Sequence, residues 1–144
     1  MEPSTVAILA DDLIWSTRLA DLVRRADRHA TVVRSVQALA AALPEATDVI
    51  IDLTARTFDG VSAVEIAAHS GHRVLCLAQH DDVALRKRAI GAGADRVYAY
   101  RLLAERGAET VKAWLAHGAG GAAQRNEAAV GSAPEPARPA EGDA

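Results

Sequence analysis

The chain has 144 residues, half of them apolar but only 3% aromatic, with 16 basic and 19 acidic side chains. That length holds one ordinary domain with a real core and hardly two, and the core has to be built from Ala, Val, Leu and Ile. Residues 1–117 carry 14 basic against 15 acidic side chains and residues 118–144 carry two against four, a balance that excludes a polyanion-binding domain and predicts no nucleic-acid partner.

The opening, Met1-Glu2-Pro3-Ser4, has no basic leader, and the apolar run behind it is too short for a signal peptide or a membrane span. A cytoplasmic protein without membrane association is the expectation. Thr5-Val6-Ala7-Ile8-Leu9-Ala10 predicts a strand covered on both faces. From Leu13 to about Ala26 the period becomes helical, and Arg24, Arg25 and Arg28 complement the negative pole of that helix. Thr31-Val32-Val33 reads as a second strand, after which Ser35 can cap a short helix that Pro44 ends.

Asp48-Val49-Ile50-Ile51-Asp52 is the third strand, closed by a carboxylate and followed by turn residues. Gly60 opens a helix carrying Val61, Val64, Ile66 and Ala67, and Ser70-Gly71 stops it. Arg73 to Ala78 is the fourth strand, with the chain's only cysteine, Cys76, expected as a small buried apolar residue. A single cysteine also excludes a disulfide framework or a thiolate zinc cluster. Asp81 or Asp82 caps the next helix, which Gly91 to Gly93 ends in left-handed conformations. Arg96-Val97-Tyr98-Ala99-Tyr100 is the fifth strand, and a last helix runs to about His117 with Leu103, Val111, Trp114 and Leu115 inward and Gly107 weakening its first half.

Strand and helix thus alternate five times over short connections, which calls for an α/β fold: a mostly parallel sheet, doubly wound, with helices on both faces. Residues 1–117 form that domain. Residues 118–144 are rich in Ala, Gly and Pro, with Glu and Arg and hardly a large apolar side chain, and their composition predicts a disordered tail.

Open sheets of this kind keep ligands at the carboxyl ends of their strands. Asp11-Asp12 closes the first strand and Asp52 the third. If these strands are neighbours, three carboxylates converge on one rim, where they repel one another unless a cation such as Mg2+ sits among them. With a metal in place a carboxylate oxygen can attack a phosphoryl group. Each Asp alone reads equally well as a strand end or helix cap.

Taken together, residues 4 to 116 resemble the CheY-like receiver domain of bacterial response regulators. The resemblance rests on Asp11-Asp12 after strand one, Asp52 ending strand three, Asp59-Gly60 with Gly60 eight positions beyond Asp52, and Gly91-Ala92-Gly93-Ala94-Asp95 before strand five. It implies a five-stranded flavodoxin-like (βα)5 fold and a stand-alone, non-enzymatic signalling domain of a two-component phosphorelay. By the same resemblance Asp52 is the phospho-acceptor, Asp11 and Asp12 hold Mg2+ with it, and the carbonyl of Thr54 completes the metal's protein ligands. Its partners would be a sensor histidine kinase or phosphotransfer protein and a protein docking on the face of helix four, strand five and helix five, where Arg86, Lys87, Arg88, Arg96, Arg101 and Arg106 gather.

Four positions depart from the receiver pattern. Ala78 stands where receivers carry a Ser or Thr, Tyr100 and Arg101 replace a Lys and Pro, and Arg56 replaces a further Pro. Ala78 has no hydroxyl to move and a tyrosine has no ammonium. Either Arg56 or Arg101 takes over phosphate recognition, or the chain is a pseudo-receiver that binds a protein partner without phosphate. The histidines, His29, His69, His72, His80 and His117, have no paired metal spacing and are expected at the surface.

Overall fold

The structure, a computed structural model, describes residues 3–117. Its strands are β1 (Thr5–Leu9), β2 (His29–Val33), β3 (Asp48–Asp52), β4 (Arg73–Ala78) and β5 (Arg96–Ala99). They alternate with α1 (Leu13–Arg25), α2 (Val36–Ala42), α3 (Gly60–His69), α4 (Val83–Ala92) and α5 (Tyr100–Ala116), and a 3-10 turn at Leu43–Glu45 follows α2. Every strand pair is parallel and the sheet order is β2-β1-β3-β4-β5. This is the doubly wound five-stranded sheet that the alternation of periods predicts.

Because successive side chains leave a strand on opposite faces, the sheet feeds two cores. Val6, Ile8, Ile50, Leu75 and Leu77 pack with Leu19 and Val23 of α1 and with Leu103, Val111 and Trp114 of α5. Ala7, Leu9, Val49, Ile51 and Cys76 pack with Leu39 of α2, Val64 of α3 and Ala89 of α4. Burial on both faces is what makes β1, β3 and β4 read as unbroken apolar runs.

Side-chain caps start four of the five helices. Asp12, Ser35, Asp59 and Asp82 each accept a hydrogen bond from a backbone N–H of the first turn. Helix α5 starts differently: Ala99 precedes it with no side-chain cap, and Tyr100, expected as the last strand residue, is its first helical one. Of the glycines expected to be left-handed after α4, only Gly93 is, at φ 118°, while Gly91 lies inside the helix. Gly107 has a packing role. A Cβ there would lie 2.7 Å from Leu22 Cδ1, and its neighbour Arg106 leaves helical geometry at φ −134°, ψ 30°, so α5 bends where it presses on α1.

At the amino-terminal end of the sheet Arg73 is buried, 7% exposed, between two carboxylates. Its Nη1 lies 3.2 Å from Asp48 Oδ1 and its Nη2 3.2 Å from Asp95 Oδ2. The guanidinium also sits 4.4 Å from the centre of the Trp114 ring, whose Nε1 donates to Asp95 at 2.7 Å. One network therefore joins β3, β4, the turn before β5 and α5. His72 is no surface residue either: it is half-buried, and its Nε2 reaches the carbonyls of Leu43 at 2.8 Å and Ala46 at 3.0 Å.

Among the described residues no helix is long and apolar enough to cross a membrane. The tail expected over 118–144 lies outside the described residues.

Candidate functional site

Strands β1 and β3 are neighbours in register, with Leu9 opposite Ile51. The connection from β1 leads to α1 on one face of the sheet and that from β3 to α3 on the other. The crevice between their carboxyl ends is the switch point where doubly wound sheets bind ligands. An open cleft of about 630 Å3 lies there, lined by Asp11, Asp12, Trp15, Asp52, Thr54, Ala55, Arg56, Thr57, Gln79 and Tyr100. The topology thus brings the three carboxylates to one rim.

Asp52 is 3% exposed. Its Oδ1 accepts from the Thr54 N–H at 3.0 Å, from Thr54 Oγ1 at 3.0 Å and from the hydroxyl of Tyr100. The Thr54 and Tyr100 hydroxyls also bond to each other. Two hydroxyl protons are therefore shared among three oxygens. Asp52 lies on the same face of β3 as Ile50, the face covered by α1 and α5, which is why a residue starting α5 can reach it.

Burial first, then the hydrogen bond to Asp52 and that carboxylate's charge, push the Tyr100 phenol above its ordinary range, against a smaller opposing effect of Thr54. Tyr100 is accordingly a neutral donor at any physiological pH. Its ring packs against Trp15, with centroids 5.1 Å apart and planes tilted by 55°, and Arg18 covers the Trp15 ring at 5.0 Å.

Asp11 serves the loop between β3 and α3. Its Oδ2 accepts from the N–H of Arg56 at 3.1 Å, the N–H of Thr57 at 3.2 Å and Thr57 Oγ1 at 2.9 Å. Partial burial works to raise its pKa, but these hydrogen bonds outweigh it and hold the carboxyl below the usual value. Asp12 is exposed and caps α1, accepting from the Trp15 N–H at 3.0 Å. Asp59 caps α3 through the N–H groups of Val61 and Ser62, and its bonds to Ser62 lower its pKa as well.

The rim has the acidity of a receiver metal site, and one oxygen of each carboxylate is already engaged. Asp11 Oδ2 and Asp52 Oδ1 each carry three protein donors, and Thr54 faces Asp52 through its amide and hydroxyl. Among the described residues no three His, Cys, Asp or Glu side chains are grouped as metal ligands. Asp12 Oδ2 and Asp52 Oδ2 accept no hydrogen bond from the described residues, and these are the oxygens that would face an Mg2+ at the rim.

Ala78 ends β4 fully buried, and nothing at its position supplies a hydroxyl. Arg101 points away: its side chain is 83% exposed, pairs with Glu105 at 3.0 Å and takes no part in lining the cleft, whereas Arg56 does line it. The expected basic face is partly consumed internally, because Arg86 Nη1 donates to the carbonyl of Val97 at 2.7 Å. Lys87, Arg88, Arg96 and Arg106 remain exposed. Sequence reasoning missed Thr57 and Gln79, and it took Tyr100 only as an absent lysine. The available signal was parity: Tyr98 and Tyr100 fall on the same face of the sheet as Asp52.

No family model matches the chain, and no curated protein matches it in sequence. Solved structures do. The receiver domain of TorR, the response regulator of the TMAO respiratory system, is similar at 17% identity and a TM-score of 0.69, covering 78% of this chain and 97% of that one. A CheY-like response regulator receiver domain protein from Methanospirillum hungatei JF-1 is similar at 13% identity and a TM-score of 0.68, covering 81% and 96%. The BeF3-activated receiver domain of DrrB gives 15% identity and a TM-score of 0.68 over 78% and 97%. At such identities the likeness establishes the architecture, and the chain has the receiver fold.

Proposed function

We propose that residues 1–117 form a receiver-like signalling module that binds a protein partner without being phosphorylated. The observation that carries this reading is the hydroxyl of Tyr100 on Asp52 Oδ1. A carboxylate that attacks phosphorus needs a cation beside it to neutralise the phosphoryl oxygens. Here the position expected to supply an ammonium supplies a neutral phenol, and hydrogen bonds to a charged group are worth about 1.5–3 kcal/mol each. Displacing Tyr100 and Thr54 to make room for a phosphoryl group would forfeit them.

The second reading keeps Asp52 as phospho-acceptor, with Mg2+ on Asp11, Asp12, Asp52 and the Thr54 carbonyl and with a histidine kinase or phosphotransfer protein as donor. What favours it is the meeting of the three carboxylates in one cleft. Incubation with a small phosphodonor and Mg2+, followed by intact-mass measurement, separates the two. The expected result is no added phosphoryl mass. An adduct that disappears in Asp52→Asn refutes the phosphate-independent reading and installs the other.

A further inference from the structure

The module's binding surface can be located if the cleft is considered together with what flanks it. Leu13 and Ile14 open α1, and each is 68% exposed. They stand in the chain between Asp12 and Trp15, both of which line the cleft. The chain therefore presents an apolar pair directly beside an acidic depression with an aromatic wall.

The depression is short of positive charge. Asp11, Asp12 and Asp52 are opposed among its lining residues by Arg56 alone. Arg34 approaches only the carbonyl of Asp11, at 3.2 Å, and Arg18 is engaged over Trp15. Among the described residues the ion pairs fall elsewhere, on Asp21, Asp48, Asp95 and Glu105. Asp52, although 97% buried by its 3% exposure, has all its hydrogen bonds on Oδ1, and its Oδ2 accepts none from these residues. That oxygen is not one of the buried atoms left without a partner, so it faces the open cleft, where a cation brought from outside can reach it.

We infer that this face docks a basic amphipathic segment of another protein, its apolar side chains on Leu13 and Ile14 and a lysine or arginine side chain inserted into the cleft towards Asp11, Asp12 and Asp52. The inference rests on the phosphate-independent reading above and names the partner's chemistry. Complementary charge selects the segment, the exposed apolar pair holds it, and the aromatic wall suits the aliphatic stem and charged head of the inserted side chain. A small soluble anion or a phosphorylated segment would be repelled.

The probe is a synthetic helical peptide of leucine and lysine with the leucines on one face, beside an isostere with norleucine at every lysine position. Each is titrated into the isotopically labelled full chain and followed by amide chemical shifts. Binding of the lysine peptide is expected to move the amides of Asp11 to Arg18 and Thr54 to Thr57 and to weaken with added salt. The double substitution Leu13→Ser, Ile14→Ser, at exposed positions, is expected to weaken it about tenfold, and Asp12→Asn in the same direction.

Equal affinity for the norleucine isostere, shifts confined to the face of α4, β5 and α5, or a free chain whose self-association vanishes in the Leu13→Ser, Ile14→Ser variant each overturn the inference. The phosphodonor experiment reports separately. An adduct on Asp52 sinks the functional reading itself, whereas no adduct together with no response to the lysine peptide sinks only the docking site.

Discussion

Tyr100 and Asp52 share a proton donor and an acceptor that neither can easily replace. Ionising the phenol would set two anions against each other in a half-buried site, so the folded chain resists it. The sign follows directly: a group whose pKa is raised by folding stabilises the fold fully below its unfolded value, and that contribution fades as pH climbs towards the raised one. Comparison of alkaline titrations of the wild type and Tyr100→Phe, followed by phenolate absorbance, is expected to show no signal from Tyr100 at pH 10, where an unperturbed tyrosine is half ionised. A normal titration step missing from the variant would mean that the hydroxyl is not held on Asp52. Cys76 offers the contrasting case: burial alone lifts its thiol far above the ordinary range, so it is inert and belongs to the core.

At the level of elements, the chain was readable where local rules decide and opaque where they do not. The five strands and five helices follow from runs and periods, as do the cap at Ser35 and one of the two offered at Asp81 or Asp82, whereas the capping role of Asp59 was not read. The end of β5 did not follow, because Tyr98 and Tyr100 alternate like a strand while the helix already begins at Tyr100. Convergence of Asp11, Asp12 and Asp52 was legible from their places at strand ends. Their partners were not, since Arg56, Thr57 and Tyr100 lie 45, 46 and 48 positions away in sequence from the carboxylates they contact.

The Arg73 network was equally invisible, being assembled from β3, β4, a turn and α5. Removing its centre leaves Asp48 and Asp95 buried without their cation. Arg73→Leu is expected to cost about 3–5 kcal/mol, measured by urea unfolding at neutral pH. A loss below 1 kcal/mol would mark the two ion pairs as expendable.

For the molecule as a whole, the described residues contain two complete cores on the two faces of one sheet. Among the described residues the last to enter either core is Leu115. The division into a module of 1–117 and a further segment of 118–144 remains our proposal, and it has a direct consequence for stability. A chain ending at His117 is expected to melt within about 2 °C of the full chain, a shift well under that produced by 1 kcal/mol in a domain of this size, and to show the same amide spectrum over the shared residues. A larger drop would show that the second segment packs on the first.

The bend at Arg106 and Gly107 gives α5 two mechanically distinct parts. The first, six residues from Tyr100 to Glu105, is held by the Tyr100 hydroxyl on Asp52 and by Leu103 in the core. The second is riveted to α1 and the sheet by Val111, Trp114 and Leu115. Lifting the phenol from the carboxylate would remove one of two anchors from this short part and leave the long arm seated, so a signal arising at the acidic rim would be felt beside the amino end of α5 and die out before its far end.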